Sequence, residues 1–277
     1  MEKTGKVCKL VPVKLIVDIG ATKADWAVSG GKRFRTEGFN LAHTPAARLG
    51  EILDGAAAEI GPGVSEVHFY AAGLVGESPV DLGRWFPGAE IEYASDMVAA
   101  ARAVCGREPG VAAIIGTGSN TCQWDGSDIA RKVNSGGFII GDEGSASVLG
   151  KLFVTDYLKG CVPSGIAVEF AKKFEADYGS IVKGVYASEA PARYLGGFAP
   201  FILEHYADPY VKALVDDNFR RFVERTILRY DRLPVGVVGG FGYACRGILE
   251  AIGKEYSVEF KTFMSSPLEG LLRYHGV

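Results

Sequence analysis

The sequence predicts an α/β protein built from two related halves. Short apolar runs typical of buried strands alternate with longer segments whose apolar residues recur at helical spacing. A strand–turn–strand pattern occurs twice, at residues 16–26 and 114–124, with Gly20 aligned on Gly118. The length of 277 residues suits one large domain or two small ones. These three observations together indicate the fold class.

Six runs have the composition of strands, and four segments have the apolar spacing of helices. The predicted strands are residues 15–19, 24–29, 66–73, 89–94, 111–116 and 235–240. The predicted helices are residues 46–60, 95–106, 145–160 and 242–256, and residues 164–232 are expected to be mostly helical.

Composition excludes several classes of partner. The net charge is −3, so nothing indicates binding to nucleic acid or to an acidic membrane. No apolar run approaches the ~20 residues that span a bilayer, and the first residues lack the apolar core of a signal peptide. Five cysteines without a CxxC pair suggest reduced thiols, without a disulfide framework or a zinc site. We therefore expect a cytoplasmic protein.

An acidic residue, Asp18, closes the first apolar run and is followed by Gly20, Thr22 and Lys23. A dinucleotide-binding glycine motif would be followed by a helix, whereas KADWAV alternates like a strand, so the segment predicts a hairpin. Backbone N–H groups of its turn and the Thr22 hydroxyl are suited to phosphate, and Asp18 to Mg²⁺. The alternative is an aspartate that only bonds its own turn.

The second hairpin carries a run of small hydrogen-bond donors, GTGSNT, at residues 116–121. Six such residues are more than a polar turn requires, which favours anion binding.

Seven segments in order resemble the N-acetylglucosamine kinase family, which is grouped with the BadF-type ATPases in the actin-like ATPase superfamily. They are VDIGATKADWAV, GFNLAHT, YAAGLVG, SDMVAAARAV, IIGTGSNT, GFIIGDEGSAS and VVGGFG, and they span most of the chain. Each motif alone is weak, but their order and spacing are specific for the family.

This resemblance implies two ribonuclease-H-like domains around an interdomain cleft. The expected domains are residues 1–108 and 109–265, the second with a helical insertion at about 164–232, while a helix at 266–277 packs back on the first. ATP would lie mostly on the C-terminal half and the sugar between the halves. Closure of such a cleft excludes water, which competes with the sugar hydroxyl for the phosphoryl group.

The resemblance also assigns roles to residues. Asp96 would be the catalytic base that accepts the proton of the sugar 6-hydroxyl, and Asp18 would hold Mg²⁺. The residues expected at the sugar, besides Asp96, are Asn40, Ser119, Asn120, Gly137 and Asp142. The residues expected at ATP are Gly20, Thr22, Lys23, Thr117, Gly118, Gly239 and Gly240.

Each assignment has a structural alternative. Asp96 follows Ser95, a good helix N-cap, and an acid in a first turn suits the helix dipole. Asp142 precedes a helix start near Ser145, and the glycines of VVGGFG are equally typical of an ordinary strand–helix turn.

One departure concerns the sugar. Many relatives carry GWG before GDEGS, whereas this chain has Ser135, Gly136 and Gly137. Gly136 thus replaces a tryptophan near the sugar. N-acetylglucosamine is the foremost candidate, and glucosamine or N-acetylmuramic acid becomes an alternative.

Three other functions are alternatives. A BadF-type activator ATPase would hold an iron–sulfur cluster, but no matching motif surrounds Cys105 or Cys122. An actin-like filament protein would carry extra subdomains, and a repressor would need a DNA-binding segment before the first strand. A homodimer is compatible with the sequence.

Overall fold

Two five-stranded mixed sheets organise the chain. The structure is a computed structural model, and it describes residues 12–20, 23–41, 44–74 and 78–277. The strands are β1 Lys14–Ile19, β2 Lys23–Val28, β3 Arg33–Glu37, β4 Glu66–Ala71, β5 Glu90–Ser95, β6 Gly110–Ile115, β7 Ser119–Trp124, β8 Ile129–Val133, β9 Val235–Val238 and β10 Phe260–Met264.

The helices lie between these strands and in one long stretch after the second hairpin. They are α1 Ala46–Ile60, α2 Asp96–Val104, α3 Gly137–Ile140, α4 Ala146–Leu158, α5 Ser164–Lys173, α6 Tyr178–Tyr186, α7 Pro191–Gly196, α8 Ala199–Glu204, α9 Pro209–Arg225, α10 Gly240–Ala244, α11 Arg246–Glu255 and α12 Leu268–Tyr274. None of the helices in the described residues is both long and apolar enough to cross a membrane.

The two sheets share one topology. Their strand orders are β3-β2-β1-β4-β5 and β8-β7-β6-β9-β10. In each, the central strand pairs antiparallel with the second strand of its hairpin and parallel with the strand on its other side. Trp26 and Trp124, which the internal repeat aligns, are both fully buried. The predicted α/β class and the repeat are confirmed.

The six predicted strands and the four predicted helical segments are present, but three edge strands were not anticipated. β3, β8 and β10 lie at the edges of their sheets. In β3 and β8 charged residues face solvent, so the apolar runs used for prediction are missing. Edge strands of this kind are stabilised by backbone pairing more than by burial.

The chain divides into two compact units, of which the first ends at Ala99 and also includes Leu268–Val277. The second unit is Ala100–Pro267. In the first unit α12 lies against β1, and the Nζ of Lys14 donates to the backbone oxygen of His275 at 3.0 Å. The predicted domain boundary near residue 108 stays a prediction.

Each unit has its own hydrophobic core, and the core determines which face of the sheet is left for polar side chains. In the first unit, Val17, Phe69 and Leu53 belong to a core formed by one face of the sheet and α1. Because side chains alternate along a strand, Asp18 and Tyr70 point to the opposite face. In the second unit β6 and β9 pack with α4, α9 and an aromatic cluster from α5 and α8.

Candidate functional site

Asp18 lies near the carboxyl end of β1, the central strand of the first sheet. Its side chain is half-buried. Burial raises the pKa of Asp18 to about 7, and the negative charges of Asp25 and Asp96 act in the same direction. Lys23 opposes the shift. The first unit therefore gathers three carboxylates at one place, where their repulsion favours a bound cation.

Asp25 is the member of this group that sequence reasoning missed. It lies directly opposite Asp18 in the antiparallel β1–β2 pair and is only 5% exposed. The Nε of Arg35 donates to its Oδ1 at 2.7 Å, and the Nζ of Lys23 lies 3.6 Å from its Oδ2. The signal was available, because a hairpin closed at Gly20 brings these two acids together on one face.

Asp96 is the first residue of α2 and directly follows β5. The Ser95 hydroxyl accepts from the backbone N–H of Val98 at 3.3 Å, so the expected N-cap is present. β1, β4 and β5 are parallel, so Asp96 and Asp18 belong to the same edge of the sheet. This is the edge at which α/β proteins bind ligands.

Asn40 joins this edge through its backbone neighbours. Leu41 donates to the carbonyl of Ala72, and Ala72 donates to that of Ile19 at the end of β1. The Thr44 hydroxyl accepts from the Asn40 N–H at 3.0 Å. The loop that carries Asn40 is thus tied to the strand ends that carry the carboxylates.

The first hairpin turn is described only in part. The Gly20 N–H donates to the Lys23 carbonyl at 2.9 Å, which closes the turn. Thr22, expected at the phosphates, lies outside the described residues. Lys23 is beside Asp25, and its partly exposed ammonium is available to an anion at the turn.

In the second unit the turn at residues 116–118 supports Asp142. A Cβ on Gly118 would lie 2.7 Å from the Asp142 Oδ2, so a larger residue at position 118 would force this carboxylate to move. Asp142 is 8% exposed and has a φ of 59°. Burial raises its pKa, while the backbone N–H of Ser119 lowers it. A strained, buried acid held against a glycine turn is typical of a functional site.

The other predicted residues near this turn differ in their exposure and in their hydrogen bonds. Ser119 is 9% exposed, and its hydroxyl donates to the Glu143 carbonyl at 2.9 Å, so it links the turn to the Asp142 loop. Thr117 is exposed, and the Asn120 Oδ1 accepts from the next backbone N–H. Ser145 caps α4 as expected, since its hydroxyl accepts from Val148.

Asn218 of α9 is a second residue that the sequence did not reveal. It is fully buried, its Oδ1 accepts from the Gly144 N–H at 2.9 Å, and its Nδ2 donates to the Ser145 carbonyl at 3.2 Å. It therefore holds the loop that follows Asp142. Nothing in the helical pattern of α9 distinguishes this asparagine from a surface residue.

The glycines of VVGGFG lie beside the same turn. β9 pairs parallel with β6, and a Cβ on Gly239 would lie 2.4 Å from the Ile115 carbonyl oxygen. A Cβ on Gly240 would meet no atom within 4 Å. The structure thus brings Thr117, Gly118, Gly239 and Gly240 to one edge of the second sheet, where backbone groups can approach a phosphate closely.

The segment that lacks the family tryptophan has its own conformation. Gly136 has a φ of 77°, and a Cβ there would lie 3.3 Å from the Ile140 Cγ1. Gly137, expected at the sugar, begins α3 and is half-buried. Ile139 and Ile140 are 74% and 83% exposed. A bulky side chain at position 136 would be strained, so the glycine suits the backbone here.

Comparisons with solved structures identify the fold. A proposed N-acetylglucosamine kinase from Porphyromonas gingivalis is 35% identical, with a TM-score of 0.86, over 94% of this chain and 98% of that one. A proposed N-acetylglucosamine kinase from Chromobacterium violaceum is 20% identical, with a TM-score of 0.70, over 95% and 99%. A ROK family glucokinase from Streptomyces griseus, solved with glucose and AMPPNP, is 15% identical with a TM-score of 0.51 over 95% and 97%. A scan against protein-family models and a search of curated proteins gave no match.

Proposed function

Because the chain belongs to the N-acetylglucosamine kinase family of actin-like ATPases, we propose that it transfers the γ-phosphoryl group of ATP to the 6-hydroxyl of an amino sugar. N-acetylglucosamine is the first candidate substrate, and glucosamine and N-acetylmuramic acid are the alternatives. The observation that supports the proposal best is the group formed by Asp18, Asp25 and Asp96 at the carboxyl edge of the first sheet.

Asp96 is the proposed base. In the transfer, the sugar oxygen forms a bond to the γ-phosphorus, the bond from that phosphorus to the bridging oxygen breaks, and ADP leaves. The hydroxyl proton passes to the Asp96 carboxylate. Because the transition state is loose, an ionised carboxylate that positions the hydroxyl is sufficient, and a strong base is not required.

Asp18 is the proposed residue for Mg²⁺. Carboxylate oxygens are the ligands that this hard cation prefers. Burial and then the charges of Asp25 and Asp96 raise the pKa of Asp18, and a bound cation would offset those charges. The Asp25 carboxylate is already bound by Arg35 and Lys23, so we do not assign it as a ligand of the cation. Its proposed role is to position Asp18, which lies opposite it on the paired strand β1. When bound, Mg²⁺ would neutralise charge on the phosphate oxygens during transfer.

The second unit supplies the remaining groups of the proposal. Thr117, Gly118, Gly239 and Gly240 would contact ATP through the turn and its backbone. Asp142, fixed beside Gly118, would accept hydrogen bonds from sugar hydroxyls. Asn40, Ser119, Asn120 and Gly137 remain proposed sugar contacts.

The activator ATPase has less support. Its iron–sulfur cluster would need cysteine thiolates, but burial raises the pKa of Cys105 to about 11 and that of Cys122 to about 12. Cys122 is fully buried, which suits packing better than ligation of a cluster at a surface.

A coupled ADP-release assay tests the proposal. Wild-type protein with Mg·ATP is given a panel of amino sugars and plain hexoses, and Asp96→Asn is measured beside it. Asp217→Asn is the matched control, since Asp217 is an exposed acid that pairs with Arg221 on α9. We expect sugar-dependent turnover that falls by 10²-fold or more in Asp96→Asn and persists in the control. Sugar-independent ADP release, or none, would contradict a sugar kinase.

A further inference from the structure

Two histidines and a glutamate form a second cluster of titratable side chains on the first sheet. His68 lies on β4, Glu92 on β5 and His275 just after α12. Each offers a ligand atom, and the three atoms lie within 4.8 Å of one another. None of these residues has a role in the proposed kinase reaction.

The contacts within the cluster hold its members in place. The Nδ1 of His68 lies 2.7 Å from the Oε2 of Glu92, and the rings of His68 and His275 stack with centroids 3.7 Å apart. The Tyr70 hydroxyl lies 2.6 Å from the Nε2 of His275. Each imidazole therefore has one nitrogen in a polar contact, which sets its orientation.

The second ring nitrogen of His68 is different. The Nε2 of His68 is buried and, among the described residues, has no hydrogen-bond partner. The Oε2 of Glu66 lies 3.7 Å from this nitrogen. A buried ring nitrogen without a hydrogen-bond partner is costly unless it gains one or binds a metal.

We propose that His68, Glu92 and His275 bind a divalent transition metal, with Zn²⁺ as the expected ion. Two imidazoles and a carboxylate are its usual donors in proteins. With metal–ligand bonds of about 2.0–2.1 Å, two ligand atoms of a tetrahedral site lie roughly 3.4 Å apart. Ligand atoms that are now separated by as much as 4.8 Å must therefore move closer to each other by about an ångström. The His275 ring turns out of its stack to do so. Glu66 contributes a further negative charge beside the ion.

The site would connect three elements that are distant in sequence. β4 and β5 lead to Ala72 and Asp96 at the carboxyl edge, and His275 belongs to the segment that lies on β1. A bound metal would add a fixed link between the C-terminal segment and the sheet. Its role is structural, and it does not depend on the kinase activity.

Metal binding is measured on the full chain carrying Asp18→Asn, with excess Mg²⁺, so that the proposed active-site cation is not counted. Zinc content after dialysis, calorimetric titration with ZnCl₂ and the visible absorption of a CoCl₂ complex are recorded. His275→Gln and His68→Gln are compared with His205→Gln, a control histidine that pairs with Glu169 on another helix. Circular dichroism checks that each variant is folded.

We expect one zinc per chain and a melting temperature that rises with Zn²⁺. Affinity should fall at least tenfold in His68→Gln and His275→Gln and stay unchanged in His205→Gln. The cobalt complex should show tetrahedral absorption. Absence of stoichiometric zinc in the parent protein, or equal affinity in folded His275→Gln, would overturn the proposal.

Discussion

Asp18 and Asp25 lie directly opposite each other on β1 and β2, and each oxygen of Asp25 has a cationic side chain beside it. The Arg35 and Lys23 contacts stabilise the charge on Asp25. Burial, and then the negative charge of Asp25 beside it, raise the pKa of Asp18 to about 7. Folding near neutral pH must therefore overcome both the burial of the Asp18 charge and its repulsion from Asp25.

Replacing Asp18 by Asn should stabilise the protein in the absence of Mg²⁺. The folded state holds a proton on Asp18 between its ordinary pKa near 3.8 and about 7, so the stability of the wild type falls as pH rises through this range. Asp18→Asn should therefore raise the free energy of unfolding by roughly 2 kcal/mol at pH 8. This figure is reduced to allow for the partial exposure of the Asp18 side chain. Urea unfolding in EDTA at pH 5 and pH 8 measures it.

The same variant should lose kinase activity, which separates function from stability. A gain in stability that is as large at pH 5 as at pH 8 would show that charge is not the cause. Asp217→Asn serves as the control, since its exposed carboxylate pairs on its own helix.

Gly118→Ala should weaken sugar binding without unfolding the protein. The new methyl group would sit 2.7 Å from the Asp142 Oδ2, so the carboxylate must move. Gly116→Ala is the matched control in the same turn, because its Cβ meets nothing within 4 Å. Steady-state kinetics should show KM for the sugar raised tenfold or more in the first variant only. Equal kinetics for both variants would remove Asp142 from the sugar site.

Asn218→Ala should destabilise the protein and slow the reaction together. The change leaves the Gly144 N–H and the Ser145 carbonyl without their buried partner, at a cost of about 2–3 kcal/mol. Because the affected loop follows Asp142, kcat/KM should fall as well. Chemical unfolding and kinetics on the same preparation test this, and a stable, fully active variant would mean that the loop is held by other contacts.

Gly136→Ala should cost about 1 kcal/mol, and Gly136→Trp more. The backbone there has a φ of 77°, which a residue with a Cβ adopts with strain. Gly165→Ala, in open space on α5, is the control and should be neutral or stabilising. Thermal unfolding of the three variants measures the order of their stabilities. A Gly136→Trp variant as stable as the wild type would show that this segment can accept the family residue.

The hairpins, the central strands and the helix starts could be predicted because each has a local signal. Asp18 ends an apolar run, Gly118 lies in a donor-rich turn and Ser145 precedes a helical pattern. The edge strands β3 and β8 have no such signal, since their apolar residues are few. Asn218 and Asp25 depend on partners brought close by folding. His275 meets His68 only because α12 returns to the first sheet, a contact that no local pattern contains.

The return of α12 to the first unit has a consequence for biosynthesis. The segment Leu268–Val277 is translated only after the whole of the second unit, although it belongs with strands made at the start. While the ribosome completes the intervening residues, the face of β1 and β4 that carries Lys14 and Tyr70 lacks its covering segment. The first unit can therefore reach its native packing only after residues 268–277 have been made, whereas the second unit has all its residues before that point.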